Sequence, residues 1–192
     1  MSTPLEAVGG RRSFSAVTAD APTHDQLLPL VAACARVADH GALRPWRLIE
    51  LRGDARARLG EAFAAASARL AVAAGVEPPS ASELAKLAGK PLRASLLIAV
   101  VASHRESDKV EAWEQDVTAA GVGHALSLLL AHAGWGVMWR TGAFTRTAEV
   151  HRLHALSDSE ELLGWLYVGG VPAGTKPGAR LTINPAAHLT AL

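Results

Sequence analysis

The sequence predicts a single α+β domain, and three observations carry the prediction. Its 192 residues suit one domain. About six helical and four strand segments follow one another without strict βαβ alternation. Helices come before, between and after the strands rather than strictly pairing with them. There is no internal repeat, no low-complexity tract and no interdomain linker, so the domain spans 1–192. A chain of this length buries roughly 70% of the surface it exposes when unfolded, and folds without needing disulfides or metals.

Taken in order, Thr3-Pro4-Leu5-Glu6 reads as a helix start, with a Thr cap, Pro at the first helical position and Glu at the third; Gly9-Gly10 stops it. Thr23-His24-Asp25-Gln26 is a second capping box, opening a helix through Leu27, Leu30, Val31, Cys34 and Val37. After Pro45, Trp46 to Arg52 reads as a strand with Trp46, Leu48 and Glu50 on one face. Asp54 is placed to cap a helix to about Ala74, which Pro78-Pro79 terminates. Ser80-Ala81-Ser82-Glu83 opens a short helix that ends before Pro91.

Leu96 to Val101 is a continuous apolar run, the pattern of a strand buried on both faces. A long helix from about Val110 to His132 follows. Gly121 and Gly123 lie in its middle, each costing about 1 kcal/mol relative to Ala, which suggests another backbone close by. Gly136 to Arg140 is a short strand, Thr147 to Leu156 a helix and Leu162 to Gly169 a strand. The tail from Pro172 onward reads as a frayed segment or an extended arm lying on something else.

Composition narrows the function. Lys plus Arg (19) against Asp plus Glu (18) leaves a net charge of +1, too balanced for a phosphate-neutralising nucleic-acid footprint. Mean hydropathy is +0.17, yet the longest apolar runs fall far below the ~20 residues a membrane span needs. The first residues lack a basic n-region and an apolar h-region, and the single Cys34 cannot form an intramolecular disulfide, so a cytoplasmic setting is expected. There is no GxSxG, Walker A or GxGxxG. His151 with His154, and His124 with His132, lack HExxH spacing, and no metal site is expected.

Three clusters remain. Arg11-Arg12-Ser13, beside Gly9-Gly10, is either a phosphate cradle, since Arg matches phosphate oxygens bidentately, or a pair of cations capping the first helix. Asp39-His40 lies ahead of Pro45-Trp46, where the His either contacts a cofactor or satisfies a helix end. Trp139-Arg140-Thr141-Gly142 suits the rim of a planar cofactor with exposed amides, and equally a packed strand end.

Together and in this order, these stretches resemble the FMN-dependent nitroreductase family, in particular its short NAD(P)H nitroreductase members. The matching residues are Arg11-Arg12-Ser13, then Arg36-Val37-Ala38-Asp39-His40 with Pro45-Trp46. They continue with Lys109-Val110, Trp113-Glu114-Gln115, Trp139-Arg140-Thr141-Gly142, and Gly164 to Gly169 with Tyr167, so the likeness runs from about Leu5 to Asn184. It implies a nitroreductase-like α+β fold: a central mixed sheet flanked by helices, a long interface helix and a C-terminal arm exchanged in a homodimer, with FMN at the subunit interface.

By the same resemblance Arg11, Arg12 and Ser13 hold the FMN phosphate and ribityl chain. Arg36 and His40 reach FMN from the other subunit, and Trp139, Arg140 and Thr141 line the flavin. Lys176 or Arg180 adds a phosphate cation. Relative to the short members, Arg44 replaces a glutamine and Ala38 a proline, and Arg44 adds a cation near the flavin region. The implied activity passes hydride from NADH or NADPH through FMN to a nitroaromatic or quinone, with no side-chain nucleophile or metal. The alternatives are a flavin-binding carrier or sensor without nicotinamide turnover, and a cofactor-free helical scaffold.

Overall fold

The computed structural model describes residues 3–175 and 182–191. Thr3, Thr23 and Ser80 each accept a hydrogen bond from the main-chain N–H three residues on, and the Glu or Gln there returns the bond, so all three capping boxes form. They open α1 (Pro4–Gly10), α2 (His24–Cys34) and α4 (Ala81–Ala88). α3 (Asp54–Ala73) has Gly53 rather than Asp54 as its cap residue. α5 (Ala112–His132) begins behind a further capping box formed by Glu111 and Glu114. α2 stops before Val37 because its last turn tightens, with Arg36 and Val37 bonding back only three residues. α6 (Ala148–Leu153) also ends early, at the left-handed Ala155 (φ +48°).

The strands are β1 (Trp46–Leu51), β2 (Leu96–Ser103), β3 (Trp135–Arg140) and β4 (Glu160–Gly170), in the order β1-β2-β4-β3. The expected central sheet is present, but among the described residues it is antiparallel at every pairing rather than mixed. β2 and β3 do run the same way, with α5 between them in sequence. β4 inserts between the two and runs against both, so no parallel pair forms.

Helices cover both faces. Leu96, Ile98 and Val100 of β2 pack with Leu27 and Cys34 of α2 and with Val122, Leu126 and Leu130 of α5. Leu97, Ala99 and Val101, alternating to the other face, pack with Leu59 and Phe63 of α3 and Val150 of α6. The expected face of β1 is also found: Trp46 and Leu48 join the α2–α5 side, where Glu50 accepts from His24 of α2 (2.5 Å).

The glycines of α5 have a different cause from the one their spacing suggests. A Cβ at Gly123 would lie 2.7 Å from the Trp139 ring, and one at Gly121 would lie 2.8 Å from Val37 Cγ1. Within this chain, side chains rather than another backbone crowd these positions.

Two buried polar groups near the ends of β1 and β4 make the fold acid-sensitive. Arg47 grips Glu160 bidentately (2.5 and 2.8 Å) and lowers its carboxyl to about 2. The Trp165 indole can only donate, so His154 Nε2 must accept from it (3.1 Å) while Nδ1–H donates to the Val150 carbonyl (2.8 Å). Both nitrogens are thus occupied by the neutral ring, and burial pushes the His154 pKa down. Both groups have folded-state pKa values below their unfolded ones. Their stabilisation is therefore full above the unfolded values and is lost as pH falls, from about 6.5 for His154 and from about 4.5 toward 2 for Glu160. The Glu160 contribution is about 2 kcal/mol after allowing for the solvent reach of Arg47. Urea midpoints should fall between pH 5 and pH 3, and Glu160→Gln should flatten that limb while lowering stability at pH 7.

Candidate functional site

The sheet edge at β3 is where the sequence-predicted residues gather. Directly after α1, the Arg11 main-chain N–H meets the carbonyls of Ala7 and Val8, so the helix end is capped by backbone. The Arg11 guanidinium donates to Ser13 Oγ (3.5 Å), and that of Arg12 stands 4.9 Å over the Phe14 ring. Phe14 N–H then donates to the Val137 carbonyl (3.0 Å), pinning this segment along the outer edge of β3. Main-chain groups of an edge strand alternate in direction, so Trp139, two residues on, also points its N–H and C=O outward, beyond the reach of Phe14.

Two of the hollows that adjoin this edge share Trp139. The smaller, about 250 Å³, is lined by Arg11, Arg12 and Ser13 together with His124 and Ser127 of α5. The larger, about 340 Å³, lies where the Arg140 side chain and Thr141 turn toward the α3 face. Its aromatic wall is Phe63, Phe144, Trp165 and Tyr167; the Phe63 and Phe144 rings stack at 4.9 Å, and Trp165 meets Phe63 edge-on at 5.4 Å. Lys90 and Arg93, from the 3₁₀ turn Lys90–Arg93 ahead of β2, add two cations. Arg140 stands 5.1 Å over the Tyr167 ring.

Trp139 is seated by two glycines. Its ring rests on α5 at Gly123, and its Nε1 lies 2.7 Å from where a Gly164 Cβ would be. The bulge between Val100 and Val101, opposite Gly164 and Leu162, makes that room. The Trp139 Nε1 and Arg140 Nε atoms are buried without a hydrogen-bond partner, and such donors are costly unless something outside the chain accepts from them.

Arg36 and His40 lie elsewhere, near the far edge of the sheet. Arg36 is exposed past the end of α2. His40 Nδ1–H donates to Glu114 Oε2 (2.9 Å) at the start of α5, which holds the Glu114 carboxyl below its usual range. The turn that carries His40 is built by Asp39, whose carboxylate accepts from the N–H groups of Leu43 and Arg44 (3.2 and 2.8 Å). It carries Ala42 and Arg44 at positive φ (+52° and +48°). One chain therefore does not bring Arg36 and His40 to either hollow. Lys176 and Arg180 lie outside the described residues.

Lys90, Arg93, His124 and Ser127 escape sequence reasoning. The signal for the first two, a Lys-Pro-Leu-Arg run entering a buried strand, is also that of an ordinary surface turn. Among the described residues, no group of three or more His, Cys, Asp or Glu side chains is arranged to hold a metal ion, and no helix is long and apolar enough to cross a membrane.

The Nitroreductase family model matches residues 8–170. The chain belongs to the nitroreductase family. Membership places it among oxidoreductase enzymes. It is 33% identical over 165 residues, 86% of either chain, to the Escherichia coli (strain K12) protein named "Putative NAD(P)H nitroreductase YdjA". Among solved structures, a nitroreductase-like family protein from Bacillus cereus superposes with a TM-score of 0.81 at 18% identity, over 100% of this chain and 97% of the other. A nitroreductase with bound FMN from Bacteroides fragilis NCTC 9343 gives 0.73 at 15% identity, over 100% of both chains. These two likenesses establish the nitroreductase fold.

Proposed function

We propose that this nitroreductase family member is an FMN-dependent oxidoreductase that takes hydride from NADH or NADPH and passes it to an electron-poor acceptor of the nitroaromatic or quinone class. The observation that carries the reading is the pair of hollows joined at Trp139, one lined by guanidiniums and a hydroxyl, the other by aromatic rings and cations. An elongated ligand with an anionic end and a planar end fits that pairing. The two buried donors without partners, on Trp139 and Arg140, fit it as well.

Bound FMN supplies the two-electron relay between nicotinamide and acceptor. Arg11, Arg12 and Ser13 hold its phosphate and ribityl chain through charge-assisted hydrogen bonds. Trp139, Arg140 and Thr141 line its ring, and the outward amide of Trp139 gives a donor on the strand edge. Lys176 or Arg180 adds a cation to the phosphate end.

The reading includes a homodimer with FMN at the subunit interface. Arg36 and His40 line neither hollow of their own chain, and the partner subunit's Arg36 and His40 would complete the site. Trp113 and Val117 of α5 (65% and 64% exposed) and Leu5 of α1 (84% exposed) leave apolar surface for such a contact. A cytoplasmic setting belongs to the same reading: Cys34 is a buried core side chain, its thiol pushed up to about 11 by burial.

The test is a visible spectrum of the purified protein before and after anaerobic NADH or NADPH. A flavin spectrum that bleaches within seconds is expected. A flavin that stays oxidised would favour a carrier or sensor, and a protein that stays colourless with added FMN would overturn the proposal.

A further inference from the structure

Trp165, in the aromatic wall of the larger hollow, donates its Nε1–H to Nε2 of His154 (3.1 Å), and both side chains are buried. His154 lines neither hollow of the site. It sits at the end of α6 with its main chain fixed, since Arg47 Nη2 donates to the carbonyls of His154 and Ala155 (3.5 and 3.3 Å). Because Nδ1–H is spent on the Val150 carbonyl (2.8 Å), the neutral ring offers one lone pair, at Nε2, and Trp165 takes it. A proton on Nε2 would set N–H against N–H. The imidazole is tied to α6, so the indole is the ring that must turn. Trp165 meets Phe63 edge-on (5.4 Å) and Phe63 stacks on Phe144 (4.9 Å), so a turn of the indole passes along the wall. The charges around the imidazole do not offset such a proton. Arg47 of β1 and His151 of α6 both oppose it, and burial opposes it more. Glu160 of β4 is paired with Arg47, Glu149 of α6 with Arg69 of α3, and Glu161 of β4 with Arg146 of the 3₁₀ turn Ala143–Arg146.

We infer that His154 is a positioning residue for the larger hollow: through Trp165 its neutral ring sets the aromatic wall against which a planar ligand binds, and protonation of Nε2 releases that wall. This rests on the function proposed above, in which the planar ligand is the FMN ring. His154 meets no reacting atom, and its effect reaches the ligand through the indole. Only the neutral form presents the finished wall, so the apparent Kd rises as the neutral fraction falls, by about tenfold per pH unit once the ring is mostly protonated. The rise sets in at lower pH than for an exposed imidazole, because burial lowers the His154 pKa.

The test is titration of apoprotein with FMN at pH 7 and pH 5, comparing wild type with His154→Gln and Trp165→Phe, each checked as folded by circular dichroism. Glutamine offers Trp165 an oxygen and Val150 an N–H without titrating. Phenylalanine keeps a ring in the wall but has no N–H for His154 to govern. The FMN phosphate gains a proton at about pH 6, and all three proteins share that effect, so the ratio of Kd values isolates the imidazole. The wild-type Kd, relative to that of either variant, is expected to rise at least about threefold from pH 7 to pH 5. The Trp165 indole N–H resonance, assigned by its loss in Trp165→Phe, should move over that range in wild type and stay fixed in His154→Gln. A purely packing role for His154 would change Kd equally at both pH values. Equal ratios at pH 7 and pH 5, or a wild-type indole resonance that does not follow pH, would overturn the inference and leave the proposed function standing. If wild type binds no FMN, both fall. Should His154→Gln fail to fold, Trp165→Phe against wild type carries the same comparison.

Discussion

Arg11→Ala is expected to weaken FMN binding by about 10–150-fold, the effect of losing one charge-assisted phosphate contact of about 1.5–3 kcal/mol. The expectation follows from how little else Arg11 does. It is partly exposed, its side chain donates to Ser13 Oγ only at 3.5 Å, and the cap of α1 is made by its main-chain N–H, which alanine keeps. Folding stability should therefore change little while flavin retention collapses. Arg11→Lys should recover only part of the affinity, because an ammonium keeps the charge but not the two-pronged geometry. The measurement is the flavin-to-protein absorbance ratio after purification, followed by titration of apoprotein with FMN. An unchanged ratio would remove the phosphate role from Arg11.

Local signals in the sequence were legible where one short segment carries the whole cause. The boxes at Thr3, Thr23 and Ser80 open helices because cap and partner sit three residues apart. The run from Leu96 is buried on both faces because no position in it tolerates water. Causes that join distant segments were not legible. Gly121 and Gly123 show that something approaches α5, and only the fold shows that it is Val37 and Trp139. Pairing directions depend on β4 inserting between β2 and β3, which no local pattern encodes. The same limit hid half of the site: Lys90 and Arg93 become neighbours of Arg140 only after the turn before β2 closes over the α3 face. Arg36 and His40, adjacent in the motif order, lie near the opposite end of the sheet order from Trp139, so motif order along the chain says nothing about whose hollow they serve.

Gly164→Ala should be strongly destabilising. Gly164 has φ +141°, a conformation close to glycine-only. A Cβ there would lie 2.5 Å from the Arg140 carbonyl oxygen, a backbone atom of β3 that cannot swing aside, and 2.7 Å from Trp139 Nε1. Relief would have to come from opening the β3–β4 pairing or from undoing the bulge opposite Val100. Undoing the bulge would shift the register by one residue and reverse the faces of Leu162 and Leu163, which now pack on opposite sides of the sheet. Strain and overpacking together cost roughly 3–5 kcal/mol, equivalent to a thermal midpoint lower by about 10 °C in a domain of this size. The loss should not stop at stability. Trp139 is the residue the two hollows share, and its displacement would disturb their junction. Any folded Gly164→Ala protein should therefore retain less FMN than wild type at the same temperature. Leu163→Ala, which truncates a partly buried neighbour without touching the backbone, should lower stability less and leave FMN retention intact. Equal FMN retention by the Gly164→Ala and wild-type proteins, read from the absorbance ratio well below both midpoints, would show that the indole position does not matter to the site.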